Sequence, residues 1–243
     1  MKATPDAHAS RSAQPVNAPK QESGNAPSAA IPTAPTAIAP QRLREVLAGP
    51  LPGRAAHARY EPELAFGRHA GPPSESARPA AVAMLLYPRG DRWHIPLTVR
   101  PSHMVHHGGQ ISLPGGLVEP GESTADAALR ELEEELGVPV ADVTLLGELS
   151  PLYLFVTDFL IVPHVATIAS APQFRPSADE VAEVIELPIQ TLLDDLRPRR
   201  VRRSFRALEF SAPALCMAGH EVWGATAMML GELAAVFAAA NRG

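Results

Sequence analysis

Cysteine is nearly absent from this chain: one residue, Cys216, stands among 243. An internal disulfide is therefore excluded, and a lone thiol in an apolar context fits inert packing in a reducing compartment. No apolar stretch approaches the roughly 20 residues needed to cross a bilayer. The most apolar segments, residues 161–166 and 224–240, suit a core strand and a core helix. The amino terminus lacks the uninterrupted apolar run of a secretion signal. Excess positive charge is missing too. With 21 Lys+Arg against 26 Asp+Glu, the net charge of −5 argues against a general nucleic-acid binder. These absences lead us to expect a cytoplasmic protein that acts on small molecules, with no membrane partner.

What is present suffices for one domain with a true core. Residues 1–40 are dominated by Ala, Pro, Ser and Thr. They carry too little apolar bulk to offset chain ordering, which predicts a disordered tail. Residues 41–77 read as a short helix followed by a linker rich in Gly, Pro and Ser. The globular part spans residues 78–243. Residues 80–87 form a buried strand, 88–91 a turn and 93–100 the returning strand. Strands follow at 143–149, 152–157 and 159–168. Residues 181–187 are a strand or a helix entry, 189–196 a short helix and 206–217 a hairpin. A terminal helix covers 222–240, with Leu230, Leu233, Val236 and Phe237 inward. Strands on both sides of one central helix, closed by a terminal helix, predict an α/β fold: an α/β/α sandwich around a mixed sheet.

The central helix carries the chemistry. Its segment reads Gly116, five residues, Glu122, seven residues, Arg130-Glu131-Leu132, one residue, Glu134-Glu135, one residue, Gly137-Val138. Ser123 and Asp126 form a capping box, and Gly137 stands where a helix stops. Ala125, Ala128, Leu129, Leu132 and Leu136 make an apolar stripe at helical spacing. Glu131, Glu134 and Glu135 lie at i, i+3 and i+4, so three carboxylates crowd one face. Their repulsion weakens the helix, and a divalent cation offsets it most directly. Arg130 is placed to brace Glu134. Glu122 is a cap or an outer metal contact. Gly115 and Gly116 suit a turn or a close backbone approach to phosphate.

This signature resembles the box of the Nudix hydrolases. The resemblance implies a Nudix-type fold, Mg²⁺ or Mn²⁺ held by Glu131, Glu134 and Glu135, and hydrolysis of a diphosphate bond. It gives Arg130 the role of orienting the catalytic glutamates Glu131 and Glu134. Glu180, and less so Glu183 or Asp158, are candidates for a remote carboxylate.

Upstream, Leu97-Thr98-Val99-Arg100 precedes residues 109–116, with Gln110 near the start of that run and Gly115-Gly116 at its end. The spacing resembles the extra motif of the coenzyme A pyrophosphatase branch. Pro101, Val105 and Leu113 depart from it, and Val105 removes an arginine. His103, His106 and His107 cluster beside the gap, as ordinary loop residues, an anion contact or a zinc site. The branch resemblance implies Arg100, Gln110, Gly115 and Gly116 at the substrate. It also implies coenzyme A or its thioesters as substrate, with 4′-phosphopantetheine and adenosine 3′,5′-bisphosphate as products.

Two other readings stand beside this one. The substrate is another nucleoside diphosphate derivative, such as ADP-ribose, a dinucleotide or an oxidised nucleotide. Or the chain is a nucleotide-sensing module without turnover. A run of arginines, from Arg197 through Arg199, Arg200, Arg202 and Arg203 to Arg206, is a solvated face or a homodimer contact, with RNA or adenosine phosphates as functional options.

Overall fold

The computed structural model describes residues 38–65, 68–103, 108–194, 197–205, 208–217 and 219–242. The expectations for residues 1–37, Val105, His106, His107, Leu196 and Arg206 fall outside them. Within unit 35–243, strand β1 (Arg78–Arg89) is the spine. Residues 80–87 are all buried, as a continuous apolar run demands of a strand covered on both faces. β1 pairs antiparallel with β2 (Arg92–Val99) at its far end. β2 in turn carries β3 (Ile111–Ser112), while β4 (Gly115–Leu117) joins β1 near its start.

On its other side β1 runs parallel to β7 (Phe159–Ile168), which also holds β5 (Val143–Glu148) and β6 (Leu152–Leu154). The strand that closes the β2 edge is β8 (Glu183–Pro188). One parallel pairing among antiparallel ones makes the sheet mixed.

Alternation along β1 divides the core in two. Ala81, Ala83, Leu85 and Tyr87 face helix α3 (Thr124–Leu136), packing with Ala127, Ala128, Leu132 and Leu136. Ala80, Val82, Met84 and Leu86 face the opposite layer, built by α1 (Pro40–Leu47), α2 (Arg54–His57), α4 (Ile189–Asp194) and α5 (Gly224–Ala240). The α/β/α sandwich follows. No helix among the described residues is long and apolar enough to cross a membrane.

Residues 41–77 are not a linker. Leu43, Leu47, Tyr60 and Ala65 are buried, and α1 and α2 cover α5. The polar composition of this stretch hid a few anchors that only find partners in three dimensions. Tyr60 lies where Gly231 leaves room: a Cβ there would collide with its ring. With α1 and α2 above it, α5 is buried almost all round, which accounts for the lack of a polar face in its sequence.

The arginine run also differs from expectation. It forms β9 (Arg199–Phe205), paired with β10 (Leu208–Met217), which pairs with β11 (His220–Trp223) in a separate three-stranded sheet. Arg200 pairs with Glu63, and Arg203 binds Glu221 at 2.8 Å while covering the Trp223 ring. Those arginines are held by intramolecular partners.

Candidate active site

Local rules build α3 as its sequence demands. Ser123 Oγ accepts from the Asp126 amide at 3.1 Å and donates to its carboxylate at 2.6 Å. Gly137 ends the helix at φ 67°, a left-handed conformation that favours glycine. A Cβ at Gly137 would also strike Arg175. That contact matters for the site, because the following loop docks on the helix end. The amides of Arg175 and Ser177 donate to the carbonyls of Leu136 and Glu135, at 2.8 and 2.9 Å. Otherwise unpaired carbonyls of the last turn are thereby satisfied, and Glu180 is brought to the same cleft as α3.

Arg130 is a hub with wider reach than an i, i+4 brace. Its guanidinium donates to Glu122 (2.9 and 3.2 Å), Glu131 (2.9 Å), Glu134 (3.0 Å) and the Leu117 carbonyl (3.1 Å). Glu122 is thus an anchor for Arg130, and it closes its own turn by accepting from the Glu119 amide at 2.9 Å. The Arg130 bond pulls the Glu122 carboxyl below its usual range. Arg130→Lys keeps the charge but loses the planar fork. Turnover is expected to fall by about 10- to 100-fold with little change in melting temperature. Steady-state kinetics beside a thermal melt check this, and a rate within twofold of wild type would refute the hub.

The glycines answer to packing. A Cβ at Gly115 would run into Ala81 and Val82 of β1, and one at Gly116 into the Glu131 carboxylate. The pair is therefore a thin strand, β4, against which a carboxylate from α3 can lie.

A cleft of about 380 Å³ opens here. Glu131, Glu135, Glu180, Arg100, Gly115 and Gly116 line it on the polar side. Glu135 is only 5% exposed and accepts from the Gly115 amide at 3.3 Å. Burial pushes its carboxyl up to about 7, reinforced by Glu131 and Glu180 and opposed by Gly115 and Arg100. Burial also raises the Glu131 carboxyl, against the pull of Arg130. Arg100 Nε is buried without a hydrogen-bond partner in the protein.

Glu134 does not join this lining. It is exposed and held by Arg130 at the rim. Glu131 and Glu135 differ by about 40° around the helix, whereas Glu134 is about 100° from Glu135, so one face cannot hold all three equally. Gln110 is not among the lining residues either; its carbonyl accepts from the Arg100 amide at 3.0 Å and closes the 100–110 loop. His103 is exposed and also absent from the lining. Asp158 and Glu183 lie elsewhere: Asp158 is bound by hydroxyls, and Glu183 stands 3.7 Å from His220.

Sequence reasoning missed the apolar wall opposite the carboxylates: Ala80, Val82, Leu117, Phe159 and Ile161. Strand alternation alone could have grouped Phe159 with Ile161, but not placed them here.

Among the described residues no three His, Cys, Asp or Glu side chains converge as a finished metal cage. Half-buried carboxylates with raised pKa values nevertheless suit a hard divalent cation that retains waters and shares its remaining positions with substrate oxygens.

A family model described as a NUDIX domain matches residues 77–208, more than half of the chain. The uncharacterized Nudix hydrolase NudL of Enterobacter sp. is 35% identical over 158 residues, covering 65% of this chain and 81% of its own. That of Escherichia coli K12 is 35% identical over 139 residues, covering 57% and 72%. Among solved structures, the Nudix hydrolase RenU from M. smegmatis gives a TM-score of 0.43 at 22% identity, covering 56% of this chain and 81% of that one. The match, the relatives and the unbroken signature from Gly116 to Val138 on α3 agree: this chain belongs to the Nudix hydrolase family.

Proposed function

We propose that the protein hydrolyses the diphosphate bond of coenzyme A or its thioesters with Mg²⁺ or Mn²⁺. The products are adenosine 3′,5′-bisphosphate and 4′-phosphopantetheine or its acyl form. One observation carries the reading: Glu131, Glu135, Glu180 and Arg100 line a single cleft. Arg100 comes from the segment whose spacing resembles the coenzyme A motif.

Nudix enzymes generally use divalent metal ions. Glu131, Glu135 and Glu180 would hold one here, with Glu134 at the rim as a further ligand. Such an ion supplies charge neutralisation on the phosphate chain and a bound water acidic enough to yield hydroxide near neutral pH. The protein's own groups do the rest. Arg100 offers a fixed cation to a phosphate oxygen, and Gly115-Gly116 keeps the strand edge thin for close approach. Arg130 orients Glu131 and Glu134, so the carboxylates need no rearrangement when substrate arrives.

A second reading has a specific basis. Val105 removes the arginine of the coenzyme A motif, which favours a different nucleoside diphosphate derivative such as ADP-ribose or a dinucleotide. Incubation with Mg²⁺ and each compound, followed by mass spectrometry, separates the two. Adenosine 3′,5′-bisphosphate from coenzyme A is the expected product. Cleavage of ADP-ribose alone would transfer the assignment to the second reading.

A further inference from the structure

The cleft has two unlike sides. Carboxylates and Arg100 form one, and Leu117, Phe159, Ile161, Ala80 and Val82 form the other. A diphosphate has no use for an apolar wall, so some other part of the substrate must meet it.

Phe159 is the aromatic member of that wall, and it is held with unusual care. It opens β7 in direct register with Arg78 of β1, and the Arg78 guanidinium lies 4.4 Å from its ring centroid. The residue before it, Asp158, is the one non-glycine with positive φ (55°) among the described residues. Such a backbone is costly for a side chain and persists where surrounding bonds enforce it. Here they do. Hydroxyls of Ser74 (2.6 Å), Ser76 (2.8 Å) and Tyr153 (2.8 Å) donate to its carboxylate, and the Arg78 amide donates to its carbonyl at 2.8 Å. One strained turn thus sets both Phe159 and Arg78 at the mouth of the cleft.

Resting on the diphosphatase reading, we infer that Phe159 with Arg78 is the stacking platform for the nucleobase of a nucleoside diphosphate substrate, and that Asp158 is its positioning residue. A flat π system matches the Phe159 ring, and the guanidinium backs that ring and offers donors to the base edge. Stacking of a base on an aromatic side chain is worth enough to change affinity about tenfold or more.

The test compares two probes in Mg²⁺ by calorimetry: ADP, which carries a base, and methylenediphosphonate, which does not. Phe159→Leu keeps apolar volume and is expected to weaken ADP about tenfold. Methylenediphosphonate affinity stays unchanged. On a hydrolysed nucleotide the same variant raises KM and leaves kcat within about twofold. Phe159→Trp restores ADP affinity. Asp158→Ala mimics Phe159→Leu, whereas Asp158→Asn, which tolerates the same backbone and keeps an acceptor, retains most of it. Equal loss of both probes in Phe159→Leu would mean a merely structural residue, and unchanged ADP affinity would place the base elsewhere; either overturns the inference. Failure of the diphosphatase reading shows separately, as absence of turnover by the wild-type protein on every nucleoside diphosphate derivative.

Discussion

Glu135→Gln lowers kcat by about a thousandfold while the protein stays folded. Glutamine keeps the volume of the buried side chain and an acceptor for the Gly115 amide, but it removes the charge that a cation requires. The same substitution has an opposite effect on the metal-free fold. Burial sets the Glu135 carboxyl at about 7, above its ordinary 4.5, so the folded state favours the protonated acid. That contribution is fully present below about 4.5 and is lost as pH rises through about 7. With a chelator present, wild type therefore loses stability between pH 5 and pH 8, by up to about 3 kcal/mol, and Glu135→Gln does not share that loss. Mg²⁺ restores the wild type at pH 8 and leaves the variant nearly unmoved. Melts at both pH values, with and without Mg²⁺, read these differences beside the turnover number. An undiminished kcat would end the assignment of Glu135 to the metal.

Glu232→Ala costs about 3–5 kcal/mol of stability and lowers Tm by roughly 10 °C, with kcat at low temperature preserved. Glu232 is fully buried on α5. One carboxylate oxygen accepts from the Gly53 amide (2.9 Å), the Ser150 amide (3.3 Å) and the Ser150 hydroxyl (2.7 Å); the other accepts from His57 Nε2 (2.7 Å). Removing it strands all four donors inside the protein. Burial alone would raise the Glu232 carboxyl, but His57, Ser150 and Gly53 pull it below its ordinary value. Its stabilisation is thus present above the ordinary carboxylate pKa and is lost as pH falls through the lowered one. Denaturant unfolding at pH 7 checks the magnitude. A midpoint within a degree or two of wild type would show that residues 41–77 are held by other contacts.

These residues also show where sequence reading stops. Ser123, Asp126 and Gly137 announced the ends of α3 because caps act within a few residues. The run at residues 80–87 announced a buried strand because its composition allows no exposed face. Glu232 carried no such signal. In the sequence it is a single charge in an apolar helix, and its donors lie about 80 and 175–180 residues away. The arginines of β9 looked like one solvated run, yet Glu63, Glu221 and Trp223 divide them among separate partners.

The sequence by itself determined the family, the mixed α/β architecture and which acids share one helix, since spacing along a helix is a property of the chain alone. Tertiary structure decided which of those acids enters the cleft. Glu135 is buried against Gly115 and Glu134 is left at the rim, because β4 and the 173–181 loop approach α3 from one side. It also decided that Phe159 faces the carboxylates, because strand register, set by pairing with Arg78 and Leu154, cannot be read from either strand alone.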